Sequence, residues 1–307
     1  MSRILITGAG GFLGQALVRA ARHAGSEVTA LIRSTAPSDW TKDPSITTAR
    51  VDLGGSPAPD QLAPYLEGVT SVIHAAASFG GTAHDHGRDT LRATRNLIVA
   101  MQSAKKPAKL VLISSFSVYD IAALPEGATL SEDSPLLGNG HGRDPYAIAK
   151  RAQEHQVQDS GLAHDILRPG AIYGPGRLWS AQLGFARAGR VICPGGHAQV
   201  PAIHVDHAAT ALVHAALRDG SGLVANLVDP SPPTQLEWLA AIGQNTHRVP
   251  LAAVLRVAQW LGRGPAWAAR FKPLNYDLTR ARDQLGPVPS RSFAQAVAAA
   301  KAQENTP

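Results

Sequence analysis

The stretch Thr7-Gly8-Ala9-Gly10-Gly11-Phe12-Leu13-Gly14 follows the apolar run Arg3-Ile4-Leu5-Ile6 and precedes Gln15-Ala16-Leu17-Val18-Arg19-Ala20, whose apolar residues recur with a helical period. A strand, a glycine turn and a helix start in that order form the arrangement that grips a dinucleotide. Gly8 permits the tight turn, Gly11 lets the backbone approach a pyrophosphate, and Gly14 lets helix and strand pack closely. Unpaired N–H groups and the positive end of the helix dipole then face the phosphates. Gly8, Gly10, Gly11, Phe12, Leu13 and Gly14 are the cofactor-binding residues expected here. The glycines fall as G-x-x-G-x-x-G, with Gly10 also supplying the spacing G-x-G-x-x-G.

Beyond this unit the pattern repeats. Val28–Ile32, Ile46–Val51, Ser71–Ala75 and Leu110–Ser114 read as further strands, with helix-like stretches between most of them, notably Asp89–Ala104. A helix over Pro145–Asp159 and the strand Asp165–Arg168 follow. Strands alternating with helices imply a doubly wound α/β fold: a parallel sheet covered on both faces, with a nucleotide across the carboxyl ends of its strands. After Gly170 the alternation loosens and proline, glycine and tryptophan become frequent, yet Ile203–Leu217 and Leu223–Val228 still read as helix and strand of the main sheet. The expected organisation is a Rossmann domain of residues 1–170 plus about 202–228, and a smaller substrate lobe of about 171–201 and 229–307.

Composition narrows the class. With 307 residues, 44% of them hydrophobic and 17% charged, the chain reads as an ordinary globular protein able to bury a full core. No apolar run approaches the roughly 20 residues of a membrane span, and Gly8–Gly14 interrupt any signal-peptide pattern. A soluble, cytoplasmic protein is expected. Cys193 is the only cysteine, which excludes an intrachain disulfide, and its flanks Val191-Ile192 and Pro194-Gly195-Gly196 suggest a structural thiol at a buried strand end. The net charge of +6 comes from dispersed Lys and Arg without interleaved aromatics, so an anionic small molecule explains it better than a nucleic acid.

The second strand ends in Leu31-Ile32-Arg33-Ser34. In a dinucleotide site this end faces the adenosine ribose, where an acid binds the two hydroxyls and repels a 2′-phosphate. Arg33 stands there instead, and a guanidinium favours the phosphate, which points to NADP over NAD, although an arginine here also serves to stack on adenine. Asp52-Leu53, after the third strand, fits the adenine edge or, equally well, a turn or helix cap.

The catalytic signal combines Ser115, at the carboxyl end of the fifth strand, with Tyr146 and Lys150, four residues apart on one helix face. An unperturbed tyrosine titrates near pKa ~10, and a nearby ammonium favours the phenolate. The serine hydroxyl would polarise a carbonyl against a nicotinamide ring.

With these residues in view the chain resembles the extended short-chain dehydrogenase/reductase family in its epimerase/dehydratase branch. The resemblance runs through Thr7–Gly14, His74-Ala75-Ala76-Ala77, Ser114–Tyr119, Tyr146–Lys150, Arg168–Gly176 and Ile203–Asp206. It implies Tyr146 as acid/base, Lys150 on the nicotinamide ribose and assisting Tyr146, and Ser115 orienting the substrate oxygen. It further implies cofactor contacts from Ala75, Ala76, Ala77 and near Pro169, and a homodimer through the helices near Asp89–Ala104 and Pro145–Asp159. Arg92, Arg95, Arg151 and Gln153 are polar enough to decorate a solvated face of those helices instead.

Departures from the family pattern narrow the chemistry. Phe116-Ser117 stands where dehydratases carry an Asp-Glu pair, which argues against elimination of water, and Arg168-Pro169-Gly170-Ala171 resembles the ketone, aldehyde and hydroxysteroid reductases more than the nucleotide-sugar enzymes. Thr90 replaces a common asparagine, putting the usual proton relay behind Lys150 in question. Phe116, Arg177 and Trp179 are candidate substrate residues. No metal is expected: His84-Asp85-His86 in a Gly-rich loop and His204-Val205-Asp206-His207 at a strand–helix junction lack convergent partners in the sequence. Val249–Leu261 reads as a core or lid helix.

The expected function is NAD(P)-linked interconversion of a secondary alcohol and a ketone. A nucleotide-sugar epimerase, for which Arg177, Arg187 and Arg190 could hold a diphosphate, is the first alternative, and a non-catalytic NADP sensor the second.

Overall fold

The computed structural model describes residues 2–56, 58–138, 144–287 and 291–304. Seven strands, β1 (Arg3–Thr7), β2 (Glu27–Ile32), β3 (Ile46–Arg50), β4 (Ser71–His74), β5 (Lys109–Ile113), β6 (His164–Pro169) and β7 (Val224–Leu227), form one parallel sheet. Their spatial order is β3-β2-β1-β4-β5-β6-β7. The order reverses between β1 and β4, and that reversal opens the crevice in which such sheets bind a dinucleotide.

Alternation along β1 explains why both faces are covered. Ile4 and Ile6 point into one core with Leu17 and Val18 of α1 (Phe12–His23), while Leu5 points into the other with Leu62 of α2 (Ala58–Leu66) and Leu97 and Met101 of α3 (Ala93–Gln102). Val157 of α4 (Pro145–Gln158) joins the second core, and Leu212 of α5 (Val205–Leu217) the first. A third cluster gathers Tyr173, Cys193 and Trp238, with Phe293 packed against it. There Cys193 lies on the strand Arg190–Pro194 and is fully buried, and the Trp238 indole N–H donates to the Leu178 carbonyl at 2.8 Å.

Four local readings are corrected by the structure. The stretch expected as one helix over Asp89–Ala104 opens with a π-helical turn, Gly87–Arg92, before α3 begins. His84-Asp85-His86 lies not in a loop but on the helical turn Ala83–His86, because Thr82 and Asp85 cap each other's backbone there. The segment from Ile203 is first a strand, Ala202–His204, and then α5. Val249–Leu261 is not core: the helix Leu251–Trp260 buries only Ala258, and Trp260 is 85% exposed. Among the described residues no helix is long and apolar enough to cross a membrane.

Candidate active site

Gly8 has φ +64°, and a Cβ there would stand 2.9 Å from the Ala76 nitrogen. A Cβ on Gly14 would stand 2.1 Å from the Gly8 carbonyl oxygen. Both clashes are with backbone, so neither position accepts a side chain without moving the strand–helix turn. Helix α1 starts at Gly11 with no side-chain cap, which leaves first-turn N–H groups directed at the loop. This uncapped, side-chain-free cradle at the reversal point fits a pyrophosphate.

At the adenosine end Arg33 is exposed and its guanidinium lies 3.2 Å from Asp89. Arg88 bridges Asp89 and Asp52, whose carboxylate also accepts from the Gly54 N–H at 3.2 Å, while Leu53 is buried. The strand end without an acid of its own therefore receives one from the π-helical turn, from a position 56 residues further along the chain. Ala75, Ala76 and Ala77 follow β4 and are half-buried. The Ala76 N–H donates to Thr7 Oγ1 at 3.0 Å, so that amide is already engaged within the protein, and Pro169 closes β6 in a buried position.

The carboxyl end of β5 delivers Ser115, whose Oγ accepts from the Ser117 N–H at 3.1 Å and is hydrogen-bonded to the Tyr146 hydroxyl. Tyr146 sits in the first turn of α4, set by Pro145 and by the Asp144 cap, which accepts from the Tyr146 N–H at 3.0 Å. Burial pushes the Tyr146 phenol up from its ordinary value, opposed by the Ser115 hydrogen bond and the Arg177 charge. The Arg177 charge thus acts on the phenol, a role the sequence had not given it. Arg177 lies 4.2 Å from the ring centre of Phe79 and 5.6 Å from that of Phe12, and Phe79 itself packs edge-on against Tyr146.

Lys150 turns inward. It is 4% exposed, and its Nζ donates to the Ile113 carbonyl at 2.8 Å and to Gln153 Oε1 at 2.9 Å. Burial draws its pKa down to about 8, partly offset by the charge of Glu154. Glu154, fully buried, accepts two hydrogen bonds from Arg168, each at 2.9 Å, and one from Ser114, pinning α4 to β6 and β5.

Of the candidate substrate residues, Arg177 stacks on the Phe79 ring that packs against Tyr146, Trp179 is 44% exposed, and the Phe116 ring is buried against Tyr119 and Tyr276. His207 pairs with Asp229 at 2.7 Å, and Asp229 also accepts from Tyr173 and the His204 N–H, which gives the His204–His207 constellation a structural role at the start of α5. The sequence reading missed Glu154 and Gln153. Their signal was their spacing, three and four residues after Lys150, which puts them on its helix face.

Residues 4–227 match the family model described as the NAD dependent epimerase/dehydratase family. The chain belongs to that family, and it is an NAD(P)-dependent oxidoreductase of the extended short-chain dehydrogenase/reductase type. It is 30% identical to a 2-alkyl-3-oxoalkanoate reductase of Stenotrophomonas maltophilia, over 98% of both chains. It is 31% identical to a ceramide reductase of Caulobacter vibrioides, over 68% of this chain and 59% of that one. The fold is shared with the UDP-Glc/GlcNAc 4-epimerase of Campylobacter jejuni (TM-score 0.78, 18% identity, 98% of each chain). It is also shared with the UDP-glucuronic acid 4-epimerase of Bacillus cereus in complex with NAD (TM-score 0.74, 19% identity, 96% and 94% of the two chains).

Proposed function

We propose that this enzyme reduces the ketone of a 3-oxo acid to an alcohol, with NADPH as its cofactor. The observation that carries the reading is the Tyr146 hydroxyl bonded to Ser115, with the Arg177 guanidinium stacked on the Phe79 ring that packs against Tyr146. Ser115 and Tyr146 donate hydrogen bonds to the carbonyl oxygen, Tyr146 gives it a proton, and Arg177 holds the substrate carboxylate. Lys150 holds the nicotinamide ribose. The bound nicotinamide supplies the hydride. The described residues among about 171–201 and 229–304 form the substrate lobe, to which the exposed Trp179 belongs. The substrate class follows the Stenotrophomonas relative, which matches nearly end to end.

The epimerase reading is separated by cofactor retention. An epimerase recycles a tightly held nicotinamide, whereas a reductase must release it at each turnover. Protein purified without added cofactor should therefore carry well under one nicotinamide per chain. Near-stoichiometric co-purified NAD, with inversion of a nucleotide sugar, would favour the epimerase.

The preference for NADP rests on Arg33. Its pair with Asp89 is exposed at 3.2 Å, and such pairs contribute only about 0–1 kcal/mol, so Arg33 exchanges it readily for a 2′-phosphate. A hydrogen bond to a charged group is worth about 1.5–3 kcal/mol, so even with the Asp89 pair given up NADP should bind about twofold to a hundredfold more tightly than NAD. Titration of both cofactors should show this preference and its loss in Arg33→Ala. Equal affinities in the wild type would remove it.

We also propose a homodimer through α3 and α4. Val99 on α3 is 43% exposed and Ile148 on α4 is 38% exposed, and pairing the two helices across a twofold axis covers both. Light scattering at micromolar concentration should give twice the chain mass, and a monomer would refute the interface.

A further inference from the structure

We propose that Gln153 is a positioning residue: it fixes the direction of the Lys150 ammonium, favours its charged form, and ties it through buried side chains to the strand end that opens the glycine loop. The sequence allowed Gln153 a solvated face, but in the structure it is fully buried.

The hydrogen bonds leave one consistent pattern of protons. An ammonium only donates, so Gln153 must present Oε1 to Lys150 and its amide N–H to Thr94 Oγ1, at 2.8 Å. The Thr94 hydroxyl donates to the Thr90 carbonyl at 2.7 Å, so His74 Nε2, 2.9 Å away, must donate to Thr94. His74 Nδ1 is then an acceptor and takes the Thr7 hydroxyl at 2.8 Å, while Thr7 Oγ1 accepts the Ala76 N–H. Burial, with the Lys150 charge adding to it, holds His74 down to about 3, so the ring stays neutral and passes the polarity on unchanged.

Two of the three Lys150 N–H bonds are thus committed, to Ile113 and Gln153, and one remains for the site. The amide of Gln153 stands directly behind the lysine, while Thr90 Oγ1 accepts from the Ser78 N–H at 3.1 Å. The charged or titratable groups coupled to Lys150 are Glu154 on its own helix and His74 on β4, and Tyr146 lies one turn earlier on the same helix. Arg168 on β6 and Arg151 on α4 both pair with Glu154. None of them replaces the Gln153 carbonyl.

The inference rests on Lys150 serving the cofactor, and its test is read on the lysine itself. In full-length protein with isotopically labelled lysine ε-carbons, NMR titration gives the Lys150 midpoint, with Lys150→Arg as the assignment control. Gln153→Met removes an acceptor that the charged ammonium uses more strongly than the neutral amine does, so the midpoint should fall by on the order of one pH unit. Gln153→Glu puts a carboxylate there, so the midpoint should rise. A residue that merely fills space would lower thermal stability without moving the midpoint in opposite directions. Midpoints that stay at the wild-type value, or that move the same way, would overturn the proposal, and if Gln153→Met does not fold, an unmoved Gln153→Glu suffices. Shifted midpoints with no matching displacement of the alkaline limb of kcat would support the positioning role and remove Lys150 from the chemistry.

Discussion

Tyr146→Phe is expected to lower turnover by ~10²- to 10⁴-fold, the usual share of general acid–base catalysis, while NADPH affinity stays within about threefold. The substitution deletes one oxygen, the one bonded to Ser115, and keeps the ring that packs against Phe79 at 5.5 Å and His86 at 6.0 Å between centres. Binding and chemistry should therefore separate. Steady-state rates with saturating cofactor and a fluorescence titration of NADPH are the two measurements. Wild-type turnover in the variant would show that the phenol is not the proton donor.

Glu154→Ala is expected to cost about 3–5 kcal/mol of folding stability, the range found when one partner of a buried ion pair is removed. Arg168 is 2% exposed, and burial alone would disfavour its charge. The two hydrogen bonds and the charge of Glu154 more than compensate, so the guanidinium stays fully charged in the native protein. Without Glu154 that charge is left with the Tyr119 hydroxyl and the Glu132 carbonyl, at 3.0 and 3.4 Å, and Ser114 loses its acceptor. Denaturant unfolding reads the loss as a lowered midpoint at unchanged slope. A loss below about 1 kcal/mol would mean that α4 is anchored chiefly by its apolar contacts.

The features legible in the sequence are those whose physics is local. The glycine loop, the alternation of strands and helices, and the four-residue spacing of Tyr146 and Lys150 each depend on neighbours within a few residues, and each reappears in the structure as an element or a helix face. What stayed hidden depends on chain segments far apart. Arg33 meets Asp89 only because the π-helical turn folds over the end of β2, and nothing near Arg33 in the sequence signals an acid. Gln153 reads as a surface residue by polarity and Glu154 carries no signal beyond its spacing, yet the helix face shared with Lys150 turns both into the interior, where Thr94 and Arg168 satisfy them. The helix Leu251–Trp260 failed in the opposite sense, since apolar content suggested burial but Val257, Trp260 and Leu261 all face outward.

The central claim is that a hydride passes from the nicotinamide to a ketone carbon and leaves with the product. NADPH carrying deuterium at the transferable position of C4, incubated with the protein and a 2-alkyl-3-oxo acid, tests it in one step. The predicted result, read by mass spectrometry, is one deuterium on C3 of the hydroxy acid for each NADPH oxidised. Recovery of unlabelled product, or of unconsumed NADPH beside an inverted nucleotide sugar, would contradict it.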